Sequence, residues 1–185
     1  MYVYTDNMPP RLNGSVVALG FFDGVHTAHR RLIRRAIQLA KEDGVPCVVC
    51  TFDRHPLSLL APGKEPKLLM SNGEKLAVFE KLGADAAWIC PFTTEIAGMD
   101  AEAFMRLLCS RLHPTAVVVG FNYSFGAGGK GKPELIQKLS EELGYRAVII
   151  DAVKDAEETV SSTLIRSLLE KGDYARAGHL LEREE

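Results

Sequence analysis

The sequence predicts an α/β fold of the Rossmann-like, doubly wound kind: a mainly parallel sheet of five to six strands with helices on both faces. Two patterns carry this prediction. Short apolar runs rich in valine, isoleucine and cysteine recur at Ser15–Leu19, Cys47–Phe52, Ala86–Cys90, 116–119 and 147–150, and continuous runs of this kind belong to strands buried on both faces. Longer segments with apolar residues at helical spacing separate them, and regular alternation of strand and helix makes neighbouring strands parallel.

The elements follow in order. Strand Ser15–Leu19 runs into Gly20, Phe21, Phe22, Asp23, Gly24, Val25 and His26, and residues 30–41 then place Leu32, Ile33, Ala36, Ile37 and Ala40 on one helical face. After strand Cys47–Phe52, residues 53–70 contain Pro56, Pro62, Gly63 and Pro66 without a clear period, and predict a long mobile loop over the site. Ser71 with Glu74 three residues on forms a capping box for a helix over Asn72–Leu82. Asp100 caps a helix over Ala101–Leu112, and Pro133 suits the first position of a helix over Pro133–Leu143. Residues 161–185 form a C-terminal helical segment.

Composition bounds the function. A chain of 185 residues, 46% apolar with formal net charge −2, is long enough for one domain with a sizeable core, spanning 1–185. No apolar run approaches the roughly 18 residues of a membrane span. The first residues lack the basic region and apolar core of a signal peptide, so a cytoplasmic location without membrane attachment is expected. Near-balanced charge gives no global basic field for nucleic acid. Cys47 and Cys50 form a C-x-x-C inside a strand, where residues three apart face opposite ways. A redox pair needs a helix N-terminus and zinc needs further ligand pairs, so these thiols, with Cys90 and Cys109, read as buried apolar groups and no protein-held metal is expected.

In parallel sheets ligands bind outside the carboxyl ends of the strands, and the unusual residues cluster there: 20–29, 53–56, 120–132 and 161–166. His26 and His29 stand at a strand-to-helix turn, where unpaired first-turn N–H groups and the positive end of the helix dipole favour an anion such as a polyphosphate. With no H-E-x-x-H and no obvious third ligand they fit zinc poorly, and fit donors to phosphate oxygens well. Ser161, Ser162 and Thr163 precede Arg166 by one helical turn. That pattern suits an ordinary N-cap with a solvated arginine, or a second positive element clamping a triphosphate opposite the histidines. The run 126–132 matches two short phosphate-loop patterns and satisfies neither. Pro133 stands where a P-loop needs Ser or Thr, and residues 121–125 separate the glycines from the strand end. A flexible substrate loop is the reading left.

These residues carry a resemblance. Gly20-Phe21-Phe22-Asp23-Gly24-Val25-His26-Thr27-Ala28-His29, followed by Arg30, Arg31, Leu32 and Ile33, resembles the G-x-F-D-G-V-H-x-G-H-x-x-L-I motif of bacterial FAD synthetases, in their FMN adenylyltransferase module. Thr51-Phe52-Asp53-Arg54-His55-Pro56 is similar to T-F-x-P-H-P, Val119 to Gly126 to V-G-x-[DN]-F-x-F-G, and Ser161-Ser162-Thr163 with Arg166 to S-S-T-x-I-R. The histidine motif is shared by many nucleotidylyltransferases and class I aminoacyl-tRNA synthetases; the set of four is far more specific and spans nearly the whole chain.

The resemblance implies transfer of AMP from ATP to FMN, giving FAD and pyrophosphate, with Mg²⁺ carried by the ATP phosphates. It implies ATP contacts for Gly20, Phe21, Asp23, His26, His29, Ser161, Ser162, Thr163 and Arg166, with His26, His29 and Arg166 acting on the reacting phosphates. FMN would lie near His55, Phe121 and Asn122. Ala28 replaces the motif's glycine and tightens the approach of the triphosphate, and Arg54 replaces a proline. Members of the family usually continue into a riboflavin kinase barrel, whereas this chain stops at Glu185, so a separate riboflavin kinase upstream is the expectation. Two rival readings stay open: a nucleotidylyltransferase with another phosphorylated acceptor, and a non-catalytic flavin or nucleotide sensor.

Overall fold

The computed structural model describes residues 1–182; residues 183–185, the end of the expected C-terminal helical segment, lie outside them. The strands are β1 (Tyr2–Tyr4), β2 (Ser15–Leu19), β3 (Cys47–Phe52), β4 (Ala86–Cys90), β5 (Pro114–Gly120) and β6 (Arg146–Ile150), with a small hairpin of β7 (Lys154–Asp155) and β8 (Glu158–Thr159). The helices are α1 (Thr27–Asp43), α2 (Leu57–Leu60), α3 (Asn72–Leu82), α4 (Thr94–Gly98), α5 (Ala101–Leu112), α6 (Pro133–Leu143), α7 (Ser162–Glu170) and α8 (Tyr174–Leu181).

The first six strands form one parallel sheet in the order β1-β4-β3-β2-β5-β6. The α/β doubly wound expectation therefore holds. Strand order reverses between β2 and β5, which opens a crevice at their carboxyl ends. Successive residues of β2 serve opposite faces: Val17 and Leu19 pack with Phe104, Met105 and Leu108 of α5 and Ile136 of α6, while Val16 and Ala18 pack with Ile33, Ala36 and Ile37 of α1 and Phe79 of α3. Cys50 joins the first cluster and Cys47 the second, and burial keeps both protonated, pushing the Cys47 thiol up to about 12.

The expected caps form. Ser71 and Glu74 close a reciprocal capping box on α3, Asp100 accepts from the N–H groups of Glu102 and Ala103, and Pro133 opens α6. Departures from the sequence reading lie where local pattern is weakest. Strand β1 has only three residues, with Tyr2 and Val3 exposed, so it joins the sheet through pairing with β4 rather than through an apolar run. The loop 53–70 contains the short helix α2. The C-terminal segment divides at Gly172 (φ +80°), after which Asp173 caps α8; α7 and α8 then bury Ile165, Leu168, Ala177, Leu180 and Leu181 against each other, with Ala28 packed on the cluster.

The run 126–132 is not the flexible substrate loop expected. Phe125 and Gly131 pair as an antiparallel bridge, the Ala127 N–H donates to the Met99 carbonyl, and the backbone of Gly126 lies against the start of α5. A Cβ on Gly126 (φ +70°) would come 2.6 Å from the Ala101 Cα, whereas one on Gly128 (φ +63°) would meet open space. Both positions carry left-handed strain on substitution, but only the first adds a backbone collision. Gly126→Ala is therefore expected to lower unfolding free energy by about 1–3 kcal/mol more than Gly128→Ala, measured by urea denaturation; equal losses would show that the run does not pack as described.

Candidate active site

The site grows from the turn between β2 and α1. Phe22 (φ 54°) and Val25 (φ 37°) both adopt left-handed backbone, a conformation bulky and β-branched side chains rarely hold, so the surroundings must impose it. Gly24 (φ +81°) is fitted closely between Leu69 and Leu181. The turn ends with His26 in the N-cap position of α1, and its side chain caps no backbone N–H. His29 lies one turn on, and the two imidazoles stack with centroids 3.6 Å apart and planes within 18°. Phe22 packs edge-on against His29 at 5.3 Å.

Both histidines are neutral at neutral pH. Burial pushes His26 down to about 4, and burial, the adjacent His26 and the Lys75 cation hold His29 well below the usual imidazole range. The Nδ1 atoms of both rings are buried without a hydrogen-bond partner. A neutral imidazole carries one N–H whichever nitrogen holds the proton, so each ring offers one neutral donor.

Asp23 connects the turn to two distant segments. It is 3% exposed, and its carboxylate accepts from the backbone N–H groups of Leu69 (2.9 Å) and Met70 (3.3 Å) and from the Arg166 guanidinium. Arg166 also donates to the Lys67 carbonyl at 2.8 Å. The Ser162 hydroxyl donates to the Asp23 carbonyl at 2.9 Å, and Ser161 caps α7 by accepting from the Leu164 N–H. Thr163 is exposed. Of the alternatives for this segment, Ser161 is an ordinary N-cap, while Arg166 is not a solvated arginine.

These residues meet around a cavity of about 480 Å³ at the carboxyl ends of the strands, within the range of small-molecule sites. Gly20, Phe21, Asp23, His26 and His29 line one side, and Ser161, Ser162, Thr163 and Arg166 another. His55 and Pro56 close the loop side, where the Phe21 ring meets His55 edge-on at 5.1 Å. Phe121 and Asn122 line the mouth beyond β5, and both are exposed. Tyr123 lines the cavity as well and stacks at 5.5 Å on Phe125, which lies in the core.

Asp151, Ala152 and Val153 after β6 and Val160 before α7 line the cavity too, and the sequence reading gave none of them as a site residue. Their position just beyond a strand end was the available signal. It also missed Lys75, fully buried on α3, whose signal was a charge one turn before Phe79 on an apolar helix face.

Comparison with known proteins bears on this geometry. The sequence pattern of the FAD synthetase family matches residues 8–164. This chain belongs to that family. Among the family's bifunctional riboflavin kinase/FMN adenylyltransferases, the Listeria monocytogenes protein is 36% identical over 167 residues, covering 90% of this chain and 53% of the relative. The Bacillus subtilis protein is 33% identical over 170 residues, with the same coverages. The chain thus spans about half the length of these curated relatives. A Geobacillus thermodenitrificans relative is 33% identical over 182 residues, 98% of this chain and 97% of its own. A solved Streptococcus pneumoniae structure described as a macrolide-efflux protein superposes with a TM-score of 0.85 at 28% identity, over 98% of this chain and 62% of that one. No helix among the described residues is long and apolar enough to cross a membrane.

The depressed His26 value has a consequence for stability. An unfolded histidine takes up its proton near pH 6.5, whereas folded His26 resists protonation down to about 4. The unfolded state therefore binds more protons in that window, and stability falls as pH drops from about 6.5 towards 4, by on the order of 3 kcal/mol from His26. Urea midpoints measured between pH 7 and 4.5 should fall steeply for the wild type and less for His26→Asn, whose neutral side chain suits the N-cap position and does not titrate. Parallel curves would remove His26 as the source.

Proposed function

We propose that this chain is an FMN adenylyltransferase of the FAD synthetase family: an FMN phosphate oxygen attacks the α-phosphorus of ATP, a new P–O bond forms, the bond from the α-phosphorus to the bridging oxygen breaks, and pyrophosphate leaves with FAD as product. The observation that carries this reading is the convergence of stacked neutral His26 and His29, the first turn of α1 and Arg166 on one cavity at the sheet's switch point. The attacking phosphate is already anionic, so no general base and no covalent enzyme intermediate are needed. Catalysis rests on holding two polyanions in line and stabilising charge on the departing pyrophosphate.

In this reading the imidazole N–H groups act as fixed neutral donors. Positive potential comes from the helix N-termini of α1 and α7 and from Arg166. Asp151 to Val153 and Val160 provide the wall for the adenosine half, and Phe121, Asn122 and the Phe21–His55 corner the wall for FMN. Asp23 is committed to Arg166 and two backbone N–H groups, and Asp53 to Arg54 and the Phe92 N–H. Mg²⁺ would be held by the ATP phosphates rather than by a protein cage, and would supply charge neutralisation there. A cytoplasmic enzyme fed by a riboflavin kinase, with no nucleic-acid or membrane partner, completes the reading.

The test is direct: incubate the chain with ATP, Mg²⁺ and FMN and measure FAD and pyrophosphate. Turnover is expected. Tight FMN binding without turnover would support the sensor, and pyrophosphate release that ignores FMN would support another acceptor. His29→Ala should lower kcat/KM for ATP by about 10²-fold or more while the protein stays folded, as for loss of a donor to developing charge; near-normal rates would remove His29 from the chemistry.

Asn122→Ala tests the acceptor half. Loss of one hydrogen bond to a charged phosphate should cost about 1.5–3 kcal/mol, about 10- to 150-fold in FMN use, with ATP affinity kept. The reverse pattern, ATP affinity lost and FMN affinity kept, would assign Asn122 to the nucleotide.

A further inference from the structure

Lys75 takes no part in the site as described, yet it is 2% exposed, and an ammonium group is costly to bury without a purpose-built environment. Its Nζ donates to the Phe21 carbonyl at 3.3 Å and lies 4.5 Å from the centroid of the Phe21 ring. The same carbonyl accepts from the Thr51 hydroxyl of β3 at 2.9 Å. The next residue is Phe22, in its left-handed conformation. Two donors from the sheet and from α3 thus hold the one carbonyl that leads into the strained turn.

The ring of Phe21 lies against Lys75 and also makes a T-shaped contact with the His55 imidazole. We propose that Lys75 is a positioning residue for the acceptor half of the site: its ammonium fixes the carbonyl and the ring of Phe21, and through them the Phe21–His55 corner against which FMN binds. The proposal rests on the FMN adenylyltransferase reading only for the identity of the ligand at that corner.

The charge matters as well as the hydrogen bond. Asp23 from the turn and Asp53 from beyond β3 favour the cation, His29 of α1 feels it, and burial outweighs the carboxylates to push Lys75 down to about 8. Asp23 and Asp53 are already engaged by Arg166 and Arg54, so Lys75 keeps its charge free for the aromatic face. Lys75 is cationic at pH 7 and neutral well above pH 8, where an amine can still donate to the carbonyl but no longer attracts the ring.

The test compares the full-length wild type with Lys75→Met, using quenching of flavin fluorescence for FMN and calorimetry with α,β-methylene-ATP for the nucleotide. Lys75→Met should bind FMN about 5- to 30-fold more weakly at pH 7, the range of a desolvated cation–π contact, with affinity for the ATP analogue within about twofold of wild type. Wild-type FMN affinity should fall between pH 7 and pH 9, and that fall should be absent in the variant. The variant's Tm should equal or exceed the wild type's, because a buried charge has been removed. Lys75→Gln, which keeps an N–H donor without charge, replaces Lys75→Met if the latter does not fold.

Unchanged FMN affinity, or an alkaline fall that persists in the variant, overturns the proposal. So does an equal loss of both ligands with a lowered Tm, which marks a merely structural lysine. Wild-type FAD formation with an unaffected variant defeats this proposal alone. FMN binding without FAD formation defeats the transferase reading and leaves Lys75 to be judged on FMN affinity.

Discussion

The buried carboxylate of Asp23 holds together three pieces of chain that no local signal brings near one another. It is shared between the N–H groups that end the loop 53–70 and the guanidinium of Arg166 on α7, and the Asp23 carbonyl takes the Ser162 hydroxyl. Removing one partner of a buried ion pair leaves an uncompensated charge at a cost of about 3–5 kcal/mol. The turn, the loop exit and the C-terminal hairpin therefore stand or fall as a unit, and the cavity exists only while they are joined. Arg30 adds a second tie, donating to the Val25 carbonyl and to the Leu181 carbonyl at the end of α8.

That arrangement sets the electrostatics of the cavity. Arg166 brings a cation to the site, but Asp23 offsets it, so the potential available to an anion leans on backbone: the first turns of α1 and α7, whose N–H groups carry partial charge that no pH change removes. The stacked histidines follow the same logic. Two imidazoles 3.6 Å apart in a buried pocket resist a first proton and still more a second, so they stay neutral and add no repulsion between themselves. Lys75, against the carbonyl and ring of Phe21, adds a buried cation on α3.

Much of the fold was legible from sequence because its signals are local. The bounds of β3, β4, α3, α5 and α6 follow from apolar period, Ser71 and Asp100 caps, and Pro133. Strand β1 was not legible: Tyr2, Val3 and Tyr4 are too few to show a pattern, and they become a strand only because β4 offers an unpaired edge. The run 126–132 misled for a related reason. Glycines permit both a mobile loop and close packing, and only the approach of Gly126 and Gly131 to Ala101 decides between them. At the site, His26, His29, Ser161 and Arg166 were visible as residue types at strand ends, whereas Asp151 to Val153 look like any strand exit.

By itself the sequence determined the alternation of strand and helix, the starts of the helices and the family motifs, since each rests on residues within a turn or two of one another. Tertiary structure decided the rest: that Arg166 faces Asp23 rather than water, that the two histidines are neutral, and that Lys75 lies beneath Phe21. Those are properties of charge and burial. They depend on which groups from distant parts of the chain exclude water around a given atom, and spacing along the chain does not encode that.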